Sequence, residues 1–191
     1  MLKKILLPYD GSAMSEKAFD KAVEIAKMAK ESQIIIIYVI AEMPTPIFSR
    51  VIRSPKTGEV TTFSEYMSVL YKGMESEMRE KLEDKKKKYS SDDLSIEIII
   101  TTGSPIDKII ECAINKKVDL IVIGSIGISG ISKFLKGLGS VSRNVSEKAS
   151  CPVLIVRWLL PKNKALFCTV LVLKNFGNAI NYRSMNSTNT I

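Results

Sequence analysis

Two stretches of this sequence carry residue types whose spacing suits a phosphorylated ligand. The first is Gly124-Ser125-Ile126-Gly127-Ile128-Ser129-Gly130, followed by Gly137-Leu138-Gly139-Ser140-Val141-Ser142. Glycines between a strand and a helix let the backbone approach a bulky anion, because no Cβ intervenes. Gly139 and Ser140 open a helix, whose unpaired N–H groups and positive dipole end favour phosphate. Ser140 and Ser142 can add hydroxyl donors. On residue types alone, the same glycines serve equally well as tight turns. The second stretch is Pro8-Tyr9-Asp10-Gly11-Ser12, where Asp10 is either a polar contact for a ligand or an acid at a helix N-terminus. Arg50, Arg53 and Lys56 add cations in a long loop, which reach phosphate only if that loop folds over the site.

Other chemistries are excluded. Histidine is absent, so the Ser-His-Asp triad and the usual zinc sites are not available. The pattern GxxxxGK[ST] does not occur. A full GxGxxG after a strand is also missing, since serine follows Gly137-Leu138-Gly139 at the third glycine's place. Cys112, Cys151 and Cys168 are odd in number and lack CxxC spacing, as free thiols of a reducing cytosol are. We therefore expect no catalytic residue and no metal site.

The net charge of +8 invites a polyanionic partner, but residues 158–191 supply half of it with no acidic residue. Lys85-Lys86-Lys87-Lys88 closes a helical stretch, where cations complement the helix dipole. A solvated face explains that run better than a nucleic-acid patch. No stretch has the roughly 18–20 apolar residues of a membrane span, and the apolar run before Asp10 is too short for a signal-peptide core. A cytoplasmic protein is expected.

The elements that must position these residues follow from periodicity. Lys3–Tyr9, Gln33–Ile40, Leu94–Thr101, Val118–Ile123 and Cys151–Val156 read as buried strands. Helical spacing covers Ser12 to about Lys30, Ser64 to about Lys88, the stretch opened by Ser104-Pro105-Ile106-Asp107, and Gly139–Ala149. Residues 41–63 carry Pro44, Pro46, Pro55 and Gly58 and read as a long loop. This alternation predicts βαβ units and a doubly wound parallel sheet, with the ligand crevice at the strands' carboxyl ends. Beyond it, Leu166–Leu173 is a short apolar run suited to an edge strand or an interface. Residues 175–191, rich in Asn, Ser and Thr, read as disordered.

Pro8-Tyr9-Asp10, Val39, Gly124-x2-Gly127 and Pro152-Val153-Leu154-Ile155-Val156 together resemble the universal stress protein family, in its ATP-binding branch. The resemblance covers about residues 2–157 and divides the chain into a nucleotide-binding domain, 1–157, and a C-terminal extension, 158–191. It implies a three-layer α/β/α fold with a five-stranded parallel Rossmann-like sheet of the adenine nucleotide α-hydrolase type. That branch carries G-x2-G-x9-G-[ST]. Here the residue pair of the right chemistry, Gly139-Ser140, lies two residues beyond the expected place, a two-residue expansion within residues 128–138. Residue by residue, the resemblance implies that Pro8, Tyr9 and Asp10 border the adenosine and that Val39 meets the adenine through its backbone. Gly124, Ser125 and Gly127 would line the ribose and phosphates, and Gly139, Ser140, Val141 and Ser142 would hold the phosphate chain.

The function implied is an ATP-binding, stress-response regulatory or signalling module, with Mg2+ or Mn2+ accompanying the nucleotide. Nucleotide would control conformation or the state of a homodimer formed through the last strand. A non-nucleotide interaction module of the same fold is the alternative, followed by a slow ATPase or nucleotidyl-transferring enzyme.

Overall fold

The computed structural model describes residues 2–29, 31–42, 51–53, 58, 60–127, 138–159, 167–176 and 179–185. Five parallel strands form its centre: β1 (Lys4–Pro8), β2 (Ser32–Ile40), β5 (Leu94–Thr102), β6 (Leu120–Gly124) and β7 (Val153–Leu159). Between β2 and β5 lie two short strands, β3 (Val51–Arg53) and β4 (Val60–Thr62), paired as a separate antiparallel ribbon. The helices are α1 (Ala13–Lys27), α2 (Phe63–Tyr89), α3 (Pro105–Lys116) and α4 (Ser140–Lys148).

The spatial order of the parallel strands is β5-β2-β1-β6-β7. The strands β1, β2, β6 and β7 are apolar on both faces, as a sheet covered on both sides requires, whereas the edge strand β5 carries Ser95, Glu97 and Thr101 on one face. Ile5, Leu7 and Tyr9 join Ile34, Ile36, Val122 and Val156 against Phe19 of α1 and Leu82 of α2. The alternate residues Leu6, Ile35, Ile37, Ile121 and Ile155 pack on Ile109 of α3 and Val145 of α4. This is the doubly wound, three-layer α/β/α fold that the strand and helix pattern predicts.

Chain order reverses between β1 and β6, which sit side by side although β2 and β5 lie on one flank and β7 on the other. Right-handed crossovers at such a point leave a crevice above the two carboxyl ends. Pro8-Tyr9-Asp10 and Gly124–Gly127 leave the sheet there.

The helix starts follow local chemistry. Ser12 caps α1, its Oγ accepting from Ser15 N–H at 3.1 Å. Thr62 and Glu65 cap α2 reciprocally in a capping box. Ser104 and Pro105 open α3.

Beyond residue 157 the sheet continues. β8 (Phe167–Phe176) pairs antiparallel with β7, and β9 (Ala179–Met185) pairs antiparallel with β8. The apolar run expected to form an edge strand or an interface falls largely within β8, which lies between β7 and β9 and is therefore not an edge. Residues 179–185, which composition assigned to disorder, form β9, because pairing to β8 supplies hydrogen bonds that composition does not register. β7, the strand expected to face a second copy, is paired on both sides within the chain. No helix among the described residues is long and apolar enough to cross a membrane.

Candidate functional site

A cleft of about 280 Å³ opens above β1 and β6, on the side of the sheet covered by α3 and α4. Its size suits a small ligand. Of the residues expected from sequence, Pro8, Tyr9, Asp10, Val39, Gly124, Gly127, Gly139, Ser140, Val141 and Ser142 all line it. Asp10 occupies one wall. Its Oδ1 accepts the Ser12 N–H at 3.0 Å, which fixes the turn from β1 into α1. Its Oδ2 faces Gly127, where an added Cβ would lie 2.6 Å from that oxygen. Gly127 is needed for space, since its φ is not among the positive ones.

The opposite wall is the first turn of α4. Gly139 is the N-cap residue, and no side chain caps this helix. Its leading N–H groups therefore face the cleft with the positive end of the dipole, the arrangement that suits an anion. A Cβ on Gly139 would lie 3.2 Å from the Ser125 carbonyl oxygen, so glycine lets α4 start tight against the end of β6.

Ser125 differs from its expected role. It is fully buried, and its Oγ has no hydrogen-bond partner among the described residues. It does not line the cleft, whereas its backbone ties three elements together. Its N–H donates to the Val156 carbonyl at 2.9 Å, and its carbonyl accepts from Gly139 N–H at 2.8 Å. Ser142 Oγ also donates to that carbonyl at 3.1 Å, or to Gly139 O at 3.0 Å. The Ser142 hydroxyl thus braces the start of α4 instead of pointing free into the cleft.

Gly124 also has a packing role. A Cβ there would sit 2.8 Å from the Met14 carbonyl carbon, so its absence lets the first turn of α1 rest on the end of β6. Tyr9 lines the cleft at its base but sends its ring to the other face of the sheet. There the phenol donates to Glu16 of α1, beneath Lys81 and Lys85 of α2. Lys85 Nζ lies 2.6 Å and Lys81 Nζ 3.6 Å from the Glu16 carboxylate. Burial, then the hydrogen bond to Glu16 and the nearby carboxylate charges, push the Tyr9 phenol well above its ordinary range. Burial works to raise Glu16, but the hydrogen bonds from Lys85 and Tyr9, with the lysine charges, together hold it below the usual carboxylate range.

Sequence reasoning missed part of the apolar wall. Pro105 and Ile109 of α3, with Ile37 and Ile126, line the cleft together with Val39 and Val141. Pro105 stands three residues past the end of β5, so the rule of searching just after each strand could have found it. Arg50, Lys56 and most of the two-residue expansion lie outside the described residues. Arg53 belongs to β3, and its guanidinium donates to the Gly58 carbonyl at 3.4 Å. Among the described residues no group of three or more His, Cys, Asp or Glu side chains could hold a metal ion.

Comparison with known proteins agrees with this architecture. Residues 1–157 match the universal stress protein family. Universal stress protein YxiE of Bacillus subtilis is 38% identical over 157 residues, covering 82% of this chain and 100% of the relative. Universal stress protein MJ0577 of Methanocaldococcus jannaschii is 33% identical over 160 residues, or 82% of this chain and 96% of the relative. The solved structure of MJ0577 superposes with a TM-score of 0.66 at 29% identity, covering 85% of this chain and 99% of that one. A universal stress protein solved in complex with cAMP gives a TM-score of 0.53 at 26% identity, covering 82% of this chain and 97% of that one. With the match extending through its five parallel strands, the chain belongs to the universal stress protein family.

Proposed function

We propose that this protein binds ATP or a related adenine nucleotide and acts as a regulatory module, with the bound nucleotide setting its conformation. One observation carries the reading. A carboxylate, Asp10, and a helix start with no side-chain cap, Gly139-Ser140, face one cleft at the point where strand order reverses. The apolar surface of Val39, Pro105 and Ile109 is suited to a flat base. Asp10 is suited to ribose hydroxyls, which can donate to its oxygens. The α4 N-terminus is suited to phosphate, and Gly127 and Gly139 keep the path between them free of side chains.

A nucleotide would lie with its base under α3 and its phosphates toward α4. Pro8, Tyr9 and Val39 contribute backbone at the base end, and Gly124 and Ser125 shape the turn beneath the sugar. Ser140, Val141 and Ser142 present the helix start. A divalent ion, Mg2+ or Mn2+, would be held mainly by the phosphates, with Asp10 the one carboxylate among the described lining residues. Binding coupled to conformation fits these groups better than turnover, because the carboxylate already accepts the Ser12 N–H that shapes its own turn. The complex of a relative with cAMP supports an adenine nucleotide as the ligand class.

Chromatography of small molecules released by heat from purified protein tests this reading. Adenine nucleotide in stoichiometric quantity is the expected result. Protein that releases none, and gains none when incubated with ATP and desalted, would instead be an interaction module of the same fold.

A further inference from the structure

The C-terminal extension, residues 158–191, lies beyond the family match. It contains four cations, Lys162, Lys164, Lys174 and Arg183, and no acidic residue. None of the described residues that line the cleft comes from it. The rest of β8 is largely apolar, and β9 mixes apolar with uncharged polar residues.

Register assigns these residues to faces of the sheet. Leu154 and Val156 of β7 belong to the core layer under α1 and α2. They pair with Val172 and Val170 of β8, so Val170, Val172, Lys174 and Phe176 share that face. On β9, Arg183 pairs with Val172 and Asn181 with Lys174. Lys174 and Arg183 therefore hold diagonal positions on one face, within reach of long side chains. Two like charges so placed call for an anion nearby. α1 packs across β6 and β7, and no helix among the described residues covers β8 or β9. The face that holds Val170 and Val172 thus runs on past the helical layer.

The chemistry of this face selects its partner. Nucleic acid needs a track of cations matched to successive phosphates, whereas the two cations here stand among Val170, Val172 and Phe176. A second copy would bring no acidic residue from its own extension to meet them. An anionic lipid surface offers both complements, headgroups for the cations and the acyl boundary for the apolar residues. Trp158, the single tryptophan of the chain, pairs with Cys168 and lies by register on the same face. Its ring type suits headgroup depth.

We infer that the α1 side of the strip formed by the end of β7 with β8 and β9 is a docking surface for an anionic membrane. The contact is peripheral and reversible, and it requires no spanning segment.

The test uses the full chain with vesicles of phosphatidylcholine alone, and of phosphatidylcholine with about a third phosphatidylserine. Co-sedimentation should show binding to the anionic vesicles, little to the neutral ones, and release as salt is raised. Lys174→Gln/Arg183→Gln should weaken binding about thirtyfold, at about fivefold per cation. Lys87→Gln/Lys88→Gln, at the end of α2, should leave it unchanged. Anionic vesicles with brominated acyl chains should quench the fluorescence of Trp158. Equal binding to both vesicles, no binding, or loss in the α2 pair with the hairpin pair unaffected overturns the inference. So does a preference for duplex DNA over anionic vesicles at the same salt. A vesicle-bound parent whose Trp158 is not quenched overturns it too, and that measurement needs no variant to fold.

Discussion

Gly127 and Asp10 meet in the lining of the cleft so closely that a Cβ on Gly127 would lie 2.6 Å from the Asp10 carboxylate oxygen Oδ2. The contact joins the exit of β6 to the exit of β1, the two loops that frame the proposed nucleotide site. Any side chain at residue 127 must displace that carboxylate or be displaced by it.

Gly127→Val should therefore abolish protection by ATP against thermal unfolding while leaving the fold in place. Saturating ligand at about a hundred times Kd stabilises by about 2.7 kcal/mol, and that increment is what the variant should lose. Gly127→Ala combined with Asp10→Ala should be non-additive in ATP affinity, since both act on one carboxylate. Melting curves with and without ATP, across the four proteins of the cycle, provide the check. A Gly127→Val protein protected as well as the parent would show that the site lies elsewhere.

Gly124 should behave differently. Its missing Cβ makes room for the Met14 backbone, which cannot swing aside as a side chain can. Gly124→Ala should cost about 1–3 kcal/mol in stability, the range for overpacking. Gly73, within α2 and with nothing inside 4 Å of its Cβ position, is the control. Gly73→Ala should be stabilising by up to about 1 kcal/mol, because alanine is the better helix former. Urea titrations of the two variants should move in opposite directions.

The two serines that brace or underlie α4 should also separate. Ser142→Ala removes a hydroxyl that donates to the Ser125 or Gly139 carbonyl and should cost about 1 kcal/mol. Ser125→Ala removes a buried oxygen with no partner among the described residues, so stability should hold or rise. Calorimetric ATP affinity should change little in the Ser125 variant, because that hydroxyl does not line the cleft.

The Tyr9–Glu16–Lys85 cluster predicts pH dependence at both extremes. Glu16 sits below its ordinary range when folded, so its contribution is present above the unfolded value of about 4.3 and is lost as pH falls further. The Tyr9 phenol is raised, so its contribution is present below about pH 10 and is lost as pH climbs above it. Glu16→Gln should flatten the acid limb of stability against pH, and Tyr9→Phe the alkaline limb. Denaturant midpoints measured across both limbs provide the test. Limbs identical to the parent's would contradict the assigned network.

Much of this could be read from residue order. The runs Ile34–Ile37 and Leu120–Ile123 are apolar without alternation, which specified strands covered on both faces, and Ser104-Pro105 specified a helix start. The glycines drew attention to the loops that frame the cleft, yet their types did not separate space for the Asp10 carboxylate at Gly127 from space for Met14 at Gly124. That distinction depends on which element crosses above each one. The family resemblance implies that Ser125 lies along the ribose and phosphates, whereas its side chain is buried under the start of α4. In α2, the apolar stripe Met67, Leu70, Met74, Met78 and Leu82 has helical spacing, yet only Met67 and Leu82 are buried and Met74, midway between them, is 43% exposed. The strands β3 and β4 are three residues each, too short to leave a period.

Titration calorimetry of the purified full chain with ATP in the presence of Mg2+ addresses the central claim most directly. The site built from Asp10, Gly127 and the start of α4 predicts saturable heat with one nucleotide per chain, and none from the Gly127→Val protein. Absence of heat from the parent at millimolar ATP, with the fold verified in the same sample, would contradict it.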